Sequence, residues 1–239
     1  MIDFKIEKIA PLCQSFGVEL TPKITEQLNL YGNLLLEWNE KINLTAITAP
    51  EEVLYKHFYD CILFLKNVEI PENATLADVG TGAGFPGMVL KIVRPDLKVT
   101  LIDSLNKRLV FLNEVIEKLR LEGIETVHIR AEEAGKSKKF REHFHIATAR
   151  AVANLPVLSE YCVPLVKRDG LFVAMKGAFA KDELALSGNA FKILGCAEPT
   201  IIFENLREDE QRAFIVAKKI SQTPPKYPRK PADISKQPL

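Results

Sequence analysis

The hydrophobic pattern changes near residue 74. Before that point apolar residues recur at helical spacing, and the clearest set is Ile24, Leu28, Tyr31, Leu35 and Trp38. Because Thr21 suits an N-cap and Pro22 a first helical position, this stretch predicts one amphipathic helix. A second helix is predicted over residues 51–65, and no strand pattern precedes about residue 74. The pattern therefore predicts an N-terminal helical extension over residues 1–70.

After residue 74, short β-branched runs alternate with longer amphipathic stretches, which is typical of a parallel sheet with crossover helices. The predicted strands are 75–80, 98–103, 126–131, 144–151 and 171–177. A helical stripe separates the second strand from the third and consists of Leu105, Leu109, Leu112, Ile116 and Leu119. Two final runs, 197–204 and 212–220, have no convincing helix between them and predict an antiparallel pair. We therefore expect an α/β domain over 71–220, with a seven-stranded, mostly parallel sheet.

The segment 221–239 differs in composition from the rest. From Lys218 to Leu239 six basic residues accompany one acid, Asp233, which gives +5 before the terminal carboxylate, and five prolines lie in the same stretch. This composition predicts an extended, poorly packed tail. The whole chain carries 32 basic and 31 acidic residues and a net charge of +1. Any basic surface for a nucleic acid must therefore be local.

Cysteine spacing and the N-terminus give the cellular context. The four cysteines are Cys13, Cys61, Cys162 and Cys196, with no CxxC pair and no zinc-site spacing. Reduced, buried thiols and no metal site are therefore expected. No signal peptide and no run long enough to span a bilayer occur, so we predict a cytoplasmic protein without a membrane partner. The sequence carries no sign of oligomeric state, and a monomer is the working expectation.

A glycine-rich segment carries the clearest chemical signal. It runs Asp78-Val-Gly80-Thr-Gly82-Ala-Gly84-Phe85-Pro-Gly, at the end of the first predicted strand. Glycine permits a sharp turn with positive φ and lets a ligand approach the backbone closely. The next helix is expected to start near Pro86, because proline suits a first helical position.

Two cofactors compete for this loop. The spacing from Gly82 to Gly87 matches the dinucleotide pattern GxGxxG, which alone is a weak signal. The acid Asp78 ahead of three alternating glycines gives DxGxGxG, the arrangement of S-adenosylmethionine enzymes. That cofactor has no phosphate and carries an ammonium and a sulfonium, so an acid near the loop favours it. Asp103, at the end of the second strand, suits the ribose hydroxyls of either cofactor, and Ala131-Glu132 lies where an adenine edge is expected.

Several segments together resemble a known family. They are EWNEKINLTAIT (37–48), KHFYDC (56–61), DVGTGAGFPG (78–87), DSLNKR (103–108), RAE (130–132), ATARAVA (147–153) and TPPKYPRKP (223–231). Over nearly its whole length the chain resembles the RsmG (GidB) family of small-subunit ribosomal RNA guanine-N7 methyltransferases. Cys61 stands where a serine is expected, which puts only a minor polar contact in doubt.

The resemblance implies a Rossmann-like class I methyltransferase fold, the cofactor S-adenosylmethionine, and 16S ribosomal RNA or the small subunit as partner. It also implies that Gly80, Phe85, Ala131-Glu132 and Arg150 contact the cofactor or its immediate surroundings. The full set of expected cofactor residues is Asp78, Gly80, Gly82, Gly84, Phe85, Asp103, Ala131, Glu132 and Arg150.

Guanine N7 attacks as a neutral lone pair, so no general acid or base is expected and positioning dominates. The positioning candidates are Arg150, His57, Asn43 and Lys176. Arg150 is either an ion-pair partner or a bidentate clamp on a phosphate or the cofactor carboxylate, and we favour the clamp. A lone histidine such as His57 is more often structural, but the resemblance favours RNA contact.

The RNA-binding candidates are Lys56, His57, Arg108, Lys226, Arg229 and Lys230. Tyr227, within KYPRK, is a candidate for stacking on a base, and the basic tail for a movable, salt-sensitive phosphate contact. Two other classes stay open. An NAD(P)-dependent oxidoreductase would need a substrate domain after the sheet, which the sequence does not supply. A non-catalytic RNA-binding protein would not need the intact glycine loop and Asp103.

Overall fold

The computed structural model describes residues 1–208 and 210–239, which build one seven-stranded sheet in the order β3-β2-β1-β4-β5-β7-β6. The strands are β1 Thr75–Val79, β2 Lys98–Asp103, β3 Ile124–His128, β4 Phe144–Arg150, β5 Val166–Lys176, β6 Thr200–Arg207 and β7 Glu210–Lys218. The first five run parallel, and β7 pairs antiparallel with both β5 and β6. The predicted mostly parallel sheet with an antiparallel closing pair is confirmed.

Several strand boundaries differ from the prediction, most of all in β5. β3 and β7 begin two residues earlier than expected, β6 lies three residues later, and β5 begins at Val166 rather than at residue 171. The extra residues of β5 include exposed Arg168 and Asp169, whose polarity is typical of a loop. Pairing of β4 with β5 also shifts register between Phe144 and Ile146. The register shift lies in the N-terminal part of β5, where the polar side chains do not show the alternation that would predict a strand.

Helices flank the sheet. They are α1 Ala10–Gln14, α2 Pro22–Asn39, α3 Pro50–Val53, α4 Asp60–Ile62, α5 Phe64–Asn67, α6 Gly87–Val93, α7 Asn106–Leu119, α8 Ala131–Ala134, α9 Leu155–Cys162, α10 Ala180–Leu186, α11 Ala190–Ile193 and α12 Pro231–Lys236. A π-helical segment, Leu54–Tyr59, joins α3 to α4. Within residues 1–208 and 210–239, no helix has the length and apolar character needed to cross a membrane.

The N-terminal extension packs directly on the sheet domain. The Thr21 hydroxyl accepts a hydrogen bond from the Ile24 amide at 3.3 Å, and Pro22 is the first residue of α2, as predicted. Tyr31 on α2 is fully buried and stacks near Phe85 and Phe111 of the sheet domain. Burial of one such side chain stabilises the fold by about 2 kcal/mol. One apolar core therefore extends from the N-terminal helices to the sheet.

The prediction of an extended, poorly packed tail is wrong. Lys219 is fully buried, and its ammonium group donates to the Thr223 hydroxyl at 2.6 Å. Tyr227 is only 6% exposed, and α12 follows it. Backbone carbonyls of the tail are satisfied by the Arg141 guanidinium, which donates to Thr223 and Tyr227 at 2.7 Å each. These long-range partners hold the prolines against the domain, and we call residues 221–239 the C-terminal strap.

Candidate active site

The glycine loop connects the end of β1 to the start of α6. Gly80, Gly82 and Gly84 have φ values of +67°, +60° and +100°, a backbone region that favours glycine. Beneath them the fully buried Asp78 carboxylate accepts hydrogen bonds from the Thr81 hydroxyl at 2.6 Å and the Gly87 amide at 2.9 Å. Burial raises the pKa of Asp78 to about 6, against the opposing effect of these two bonds. Asp78 thus fixes the loop to the first turn of α6.

This arrangement changes the role expected of Asp78. Its carboxylate lies under the loop and lines neither cavity described below, so it organises the loop instead of facing a ligand. The helix begins at Gly87, near Pro86 as expected, with Pro86 as its N-cap. Because an acid already caps the start of α6, a dinucleotide pyrophosphate would meet a negative group where it needs free amides. The dinucleotide interpretation is therefore disfavoured.

Gly84 and Phe85, both predicted cofactor residues, pack against the N-terminal extension. A Cβ on Gly84 would lie 2.7 Å from the Tyr31 hydroxyl, so glycine is needed there for close packing. The Tyr31 hydroxyl donates to the Ala83 carbonyl. The Phe85 ring stacks on His57 at a centroid distance of 4.3 Å and is 5% exposed. The second half of the loop is therefore a packing surface.

A cavity of about 430 Å³ opens at the carboxyl ends of β1, β2 and β3, and we call it the glycine-loop cavity. Its walls are formed by Val79, Gly80, Ile102, Asp103, Ser104, Arg108, Ile129, Arg130, Ala131, Glu132, Ala151, Val152, Tyr161 and Pro231. Four of the predicted cofactor residues, Gly80, Asp103, Ala131 and Glu132, are brought together here.

Asp103 is a buried carboxylate in the wall of this cavity. Its carboxylate accepts from the Gly82 amide at 3.0 Å and the Leu105 amide at 2.8 Å, and it lies 3.4 Å from the Arg108 guanidinium. Arg108, a predicted RNA-binding residue, therefore borders this cavity beside the predicted cofactor acid. Glu132 lies in the first turn of α8 and is 8% exposed.

A second cavity of about 610 Å³, the β4–β5 cavity, lies between the ends of these strands and the N-terminal extension. It is lined by Ile47, Lys56, His57, Asp60, Arg150, Ala151, Val152, Ala153, Asn154, Met175, Lys176, Gly177, Glu183 and Arg212. Three of the four positioning candidates, Arg150, His57 and Lys176, are found here. Asn43 is exposed and lines neither cavity.

Arg150 is an internal ion-pair partner in this structure, which is the alternative to the favoured clamp interpretation. Its guanidinium donates to the Asp60 carboxylate and to the Lys56 carbonyl, both at 2.8 Å. A third contact of 3.1 Å reaches His57 Nδ1. The guanidinium also lies over the Phe85 ring at 4.8 Å. These partners satisfy both of its terminal nitrogens and hold it against the N-terminal extension.

His57 and Lys56 also have internal partners, so their predicted RNA contact is not supported. His57 is 5% exposed, and its Nε2 lies 2.9 Å from the Thr45 hydroxyl. Burial and then the nearby charge of Arg150 lower the pKa of His57 to about 3. The Lys56 ammonium pairs with Glu52 at 2.5 Å and Glu210 at 2.6 Å. The π-helical segment that carries both residues is thus fixed by neutral and ionic contacts.

The two cavities meet at Ala151 and Val152, which line both. Ala151 has a φ of +57°, an uncommon conformation for a residue other than glycine. A Cβ on Gly80 would lie 2.6 Å from Val152 Cγ2, so the glycine loop closely approaches this junction. Such local strain is often found where a fold builds a functional site.

Sequence reasoning missed several lining residues. Asp60 lies within KHFYDC and Val152 within ATARAVA, so the family segments contained both without indicating a role. Glu183 had no such signal; its carboxylate pairs with Lys176 at 2.6 Å and accepts from the Leu155 amide at 2.7 Å. Across the described ranges, no three His, Cys, Asp or Glu side chains form a group that could hold a metal ion.

The remaining RNA candidates lie on the C-terminal strap. Lys226 and Lys230 are exposed. Arg229 pairs with the buried Glu160 at 2.6 Å, and Tyr227 is too buried to offer a ring face to a base. Only the two lysines of this group therefore present an accessible cation.

Comparison with known proteins identifies the family. The model described as GidB, rRNA small subunit methyltransferase G, matches residues 24–212. A ribosomal RNA small subunit methyltransferase G of Oceanobacillus iheyensis is 48% identical over 98% of this chain and 99% of its own length. The protein of the same name from an Exiguobacterium species is 50% identical over 93% and 94% of the two chains.

Solved structures with a similar fold include other methyltransferases. An S-adenosylmethionine-dependent O-methyltransferase of Thermotoga maritima matches with a TM-score of 0.54 and 14% identity, over 79% of this chain and 72% of its own. An S-adenosylmethionine-dependent methyltransferase of Aquifex aeolicus gives 0.53 and 18%, over 71% and 94%. The fold is therefore the Rossmann-like methyltransferase fold. On its sequence match over most of its length, the chain belongs to the GidB family of rRNA small subunit methyltransferases.

Proposed function

We propose that this protein transfers a methyl group from S-adenosylmethionine to N7 of a guanine in 16S ribosomal RNA. The observation that carries this proposal is the junction of the two cavities at Ala151 and Val152. A group-transfer enzyme needs donor and acceptor sites that meet at one point, because the reacting atoms must be held in line at short distance.

The glycine-loop cavity fits the donor. Asp103 is an acceptor-only carboxylate at the end of β2, which suits two ribose hydroxyls, and Glu132 adds a second acid to the walls. A Cβ on Gly82 would meet no protein atom closer than 3.9 Å, so the backbone is open on that side. The Gly87 amide at the start of α6 is already bonded to Asp78 and is therefore not free for a pyrophosphate. When bound, S-adenosylmethionine supplies an electrophilic methyl group on a sulfonium.

The β4–β5 cavity suits an acceptor base. Its floor is apolar, with Met175, Val152 and Ala153, as a planar ring requires. Its charged side chains are paired with one another, as in Arg150 with Asp60, so they offer fixed dipoles in place of free charges. Guanine, with N7 as a neutral nucleophile, fits this surface because the reaction needs no proton removed before attack.

His57 supports a mechanism without a general base. Its pKa of about 3 keeps the ring neutral near pH 7, and both ring nitrogens already have partners in the protein. The ring therefore orients Arg150 and the π-helical segment. The residues of this chain act by positioning the cofactor and the acceptor base in neighbouring cavities that share Ala151 and Val152, and by excluding water where the two groups meet.

The RNA contact, the compartment and the oligomeric state are part of the same proposal. Lys226 and Lys230 are exposed cations on the strap and suit phosphate contacts that weaken with salt. Because the acceptor is ribosomal RNA, we place the protein in the cytoplasm, acting as a monomer on 16S RNA or the small subunit.

Transfer of labelled methyl from S-adenosylmethionine tests this proposal. Small and large ribosomal subunits, each lacking native methylation, are offered as acceptors in parallel. Label is expected in the RNA of the small subunit alone. Equal labelling of both subunits, or none in either, would contradict the proposed acceptor.

A further inference from the structure

The C-terminal strap contacts both walls of the glycine-loop cavity. We propose that it sets the width of this cavity, and that the ion pair of Arg229 with Glu160 holds it in place, so that Arg229 is a positioning residue for the cofactor. This inference rests on the proposed function, since it takes the glycine-loop cavity as the S-adenosylmethionine site.

One wall of the cavity includes α9, and the strap is attached to this helix by an ion pair. The Arg229 guanidinium donates to the two Glu160 oxygens, from Nε at 2.9 Å and from the terminal nitrogen at 2.6 Å, and the Arg229 amide donates at 2.7 Å. Glu160 is fully buried. Among residues 1–208 and 210–239, all hydrogen bonds to its carboxylate come from Arg229. The next residue on α9, Tyr161, lines the cavity.

The second wall is held through α8, which carries Ala131 and Glu132 into the cavity. Gly135 follows this helix directly, and a Cβ there would lie 2.9 Å from Pro228 Cγ, so the strap packs tightly against it. One terminal nitrogen of Arg141 donates to the Gly135 carbonyl at 2.9 Å and to the Tyr227 carbonyl at 2.7 Å. A single guanidinium thus joins the end of α8 to the strap.

The strap also forms part of the wall. Pro231, two residues after Arg229, lines the cavity and begins α12. Residues 227–231 thus include the contact with α8, the contact with α9 and the wall residue Pro231. Because this short segment spans the two helices, its release would free both walls to move and would leave the Glu160 carboxylate buried without a partner.

The chain offers matched controls. Lys226 lies just before this segment and Lys230 lies within it, and both side chains are exposed, so alanine at either position removes a charge and leaves the Arg229–Glu160 ion pair in place. Variants at different residues therefore distinguish a role of the strap in RNA binding from a role in cofactor binding. Arg229→Ala acts on the cavity, whereas Lys226→Ala and Lys230→Ala act on phosphate contacts.

The experiment measures binding of S-adenosylhomocysteine by calorimetry without RNA, and thermal unfolding confirms that each variant folds. Arg229→Ala is expected to raise the Kd at least ~10-fold, because the released walls must be ordered again when the ligand binds and that cost lowers the affinity. Lys226→Ala and Lys230→Ala are expected to leave it unchanged. Glu160→Gln keeps the shape and an acceptor oxygen and should give an intermediate Kd, which provides a test if Arg229→Ala does not fold.

Steady-state kinetics separates positioning from general damage. In Arg229→Ala the KM for S-adenosylmethionine should rise, while the KM for RNA and kcat at saturating cofactor stay within ~2-fold of wild type. An unchanged Kd in folded Arg229→Ala and Glu160→Gln, or a loss confined to RNA affinity, would overturn the proposal. Failure of the wild-type protein itself to bind S-adenosylhomocysteine would instead contradict the proposed function on which it rests.

Discussion

Arg150 donates a 2.8 Å hydrogen bond to Asp60, which lies 90 residues away in the sequence. Asp60 is 1% exposed and also accepts a 3.1 Å bond from Arg212 on β7. One buried carboxylate therefore joins β4, β7 and the N-terminal extension, and it does so at the wall of the β4–β5 cavity. We call Asp60, Arg150 and Arg212 the charge cluster, and the position of that wall depends on it.

Breaking the cluster is expected to destabilise the fold. Arg150→Ala leaves Asp60 with one partner and should lower the free energy of unfolding by about 3 kcal/mol. Asp60→Ala leaves two cations without their carboxylate and should cost more. Urea unfolding measures both, and Arg168→Ala, at an exposed site on β5, is a control expected within about 0.5 kcal/mol of wild type. An Arg150→Ala protein as stable as that control would show that the cluster does not carry stability.

Gly80 and Gly82 form a matched pair because their φ values differ by only a few degrees. In both, alanine incurs about 1 kcal/mol of backbone strain. Only at Gly80 would the new methyl also clash, 2.6 Å from Val152 Cγ2. Overpacking adds about 1–3 kcal/mol, so Gly80→Ala should have a clearly lower unfolding midpoint than Gly82→Ala. Equal midpoints would mean that Val152 moves away without cost.

Asp103 is expected to determine cofactor affinity. Asp103→Asn keeps the side-chain shape but removes the charge, and hydrogen bonds to a charged acceptor are worth about 1.5–3 kcal/mol. Calorimetry should therefore show affinity for S-adenosylhomocysteine reduced about 10- to 100-fold. Glu133→Gln, an exposed carboxylate on α8, is the matched control and should bind as wild type does. An Asp103→Asn protein with unchanged affinity would argue against this carboxylate as the ribose contact.

His57 should make stability depend on pH. Its pKa is lowered in the folded state from 6.5 to about 3, so the unfolded chain binds more protons between these values. The stability from the neutral ring is thus present above pH 6.5 and is lost as the pH falls toward 3. Between pH 7 and 5 wild type should lose about 2 kcal/mol more than His57→Gln, as measured by urea unfolding at each pH. Parallel losses in both proteins would contradict a neutral buried His57.

The sequence predicted features that local chemistry determines. The cap of α2 at Thr21, the glycine loop and the acid at the end of β2 each depend on a few neighbouring residues. The strands were recognisable because parallel strands buried on both faces are continuously apolar. The sequence therefore predicts that Asp103 and Gly80 serve the same cofactor, and both line one cavity.

The sequence does not identify side-chain partners that lie far apart along the chain. Arg150 looked like a free clamp because nothing near it identifies Asp60 as its partner. The strap looked extended because its composition is rich in proline and lysine, whereas Arg141 and Glu160 hold it. Phe85 is expected near the cofactor from the family resemblance, and the sequence does not indicate that its ring also stacks on His57. Local patterns do not determine which of several possible partners a side chain finds.

The most direct test of the proposed function maps the methylated atom. Small subunits that lack native methylation are incubated with the protein and labelled S-adenosylmethionine, and N7-methylguanine is located in the 16S RNA by chemical cleavage specific to that base. Wild type should give one site of cleavage, and Gly80→Arg, which blocks the glycine-loop cavity, should give none. Methyl transfer to an atom other than guanine N7, or cleavage that persists in Gly80→Arg, would contradict the proposed reaction.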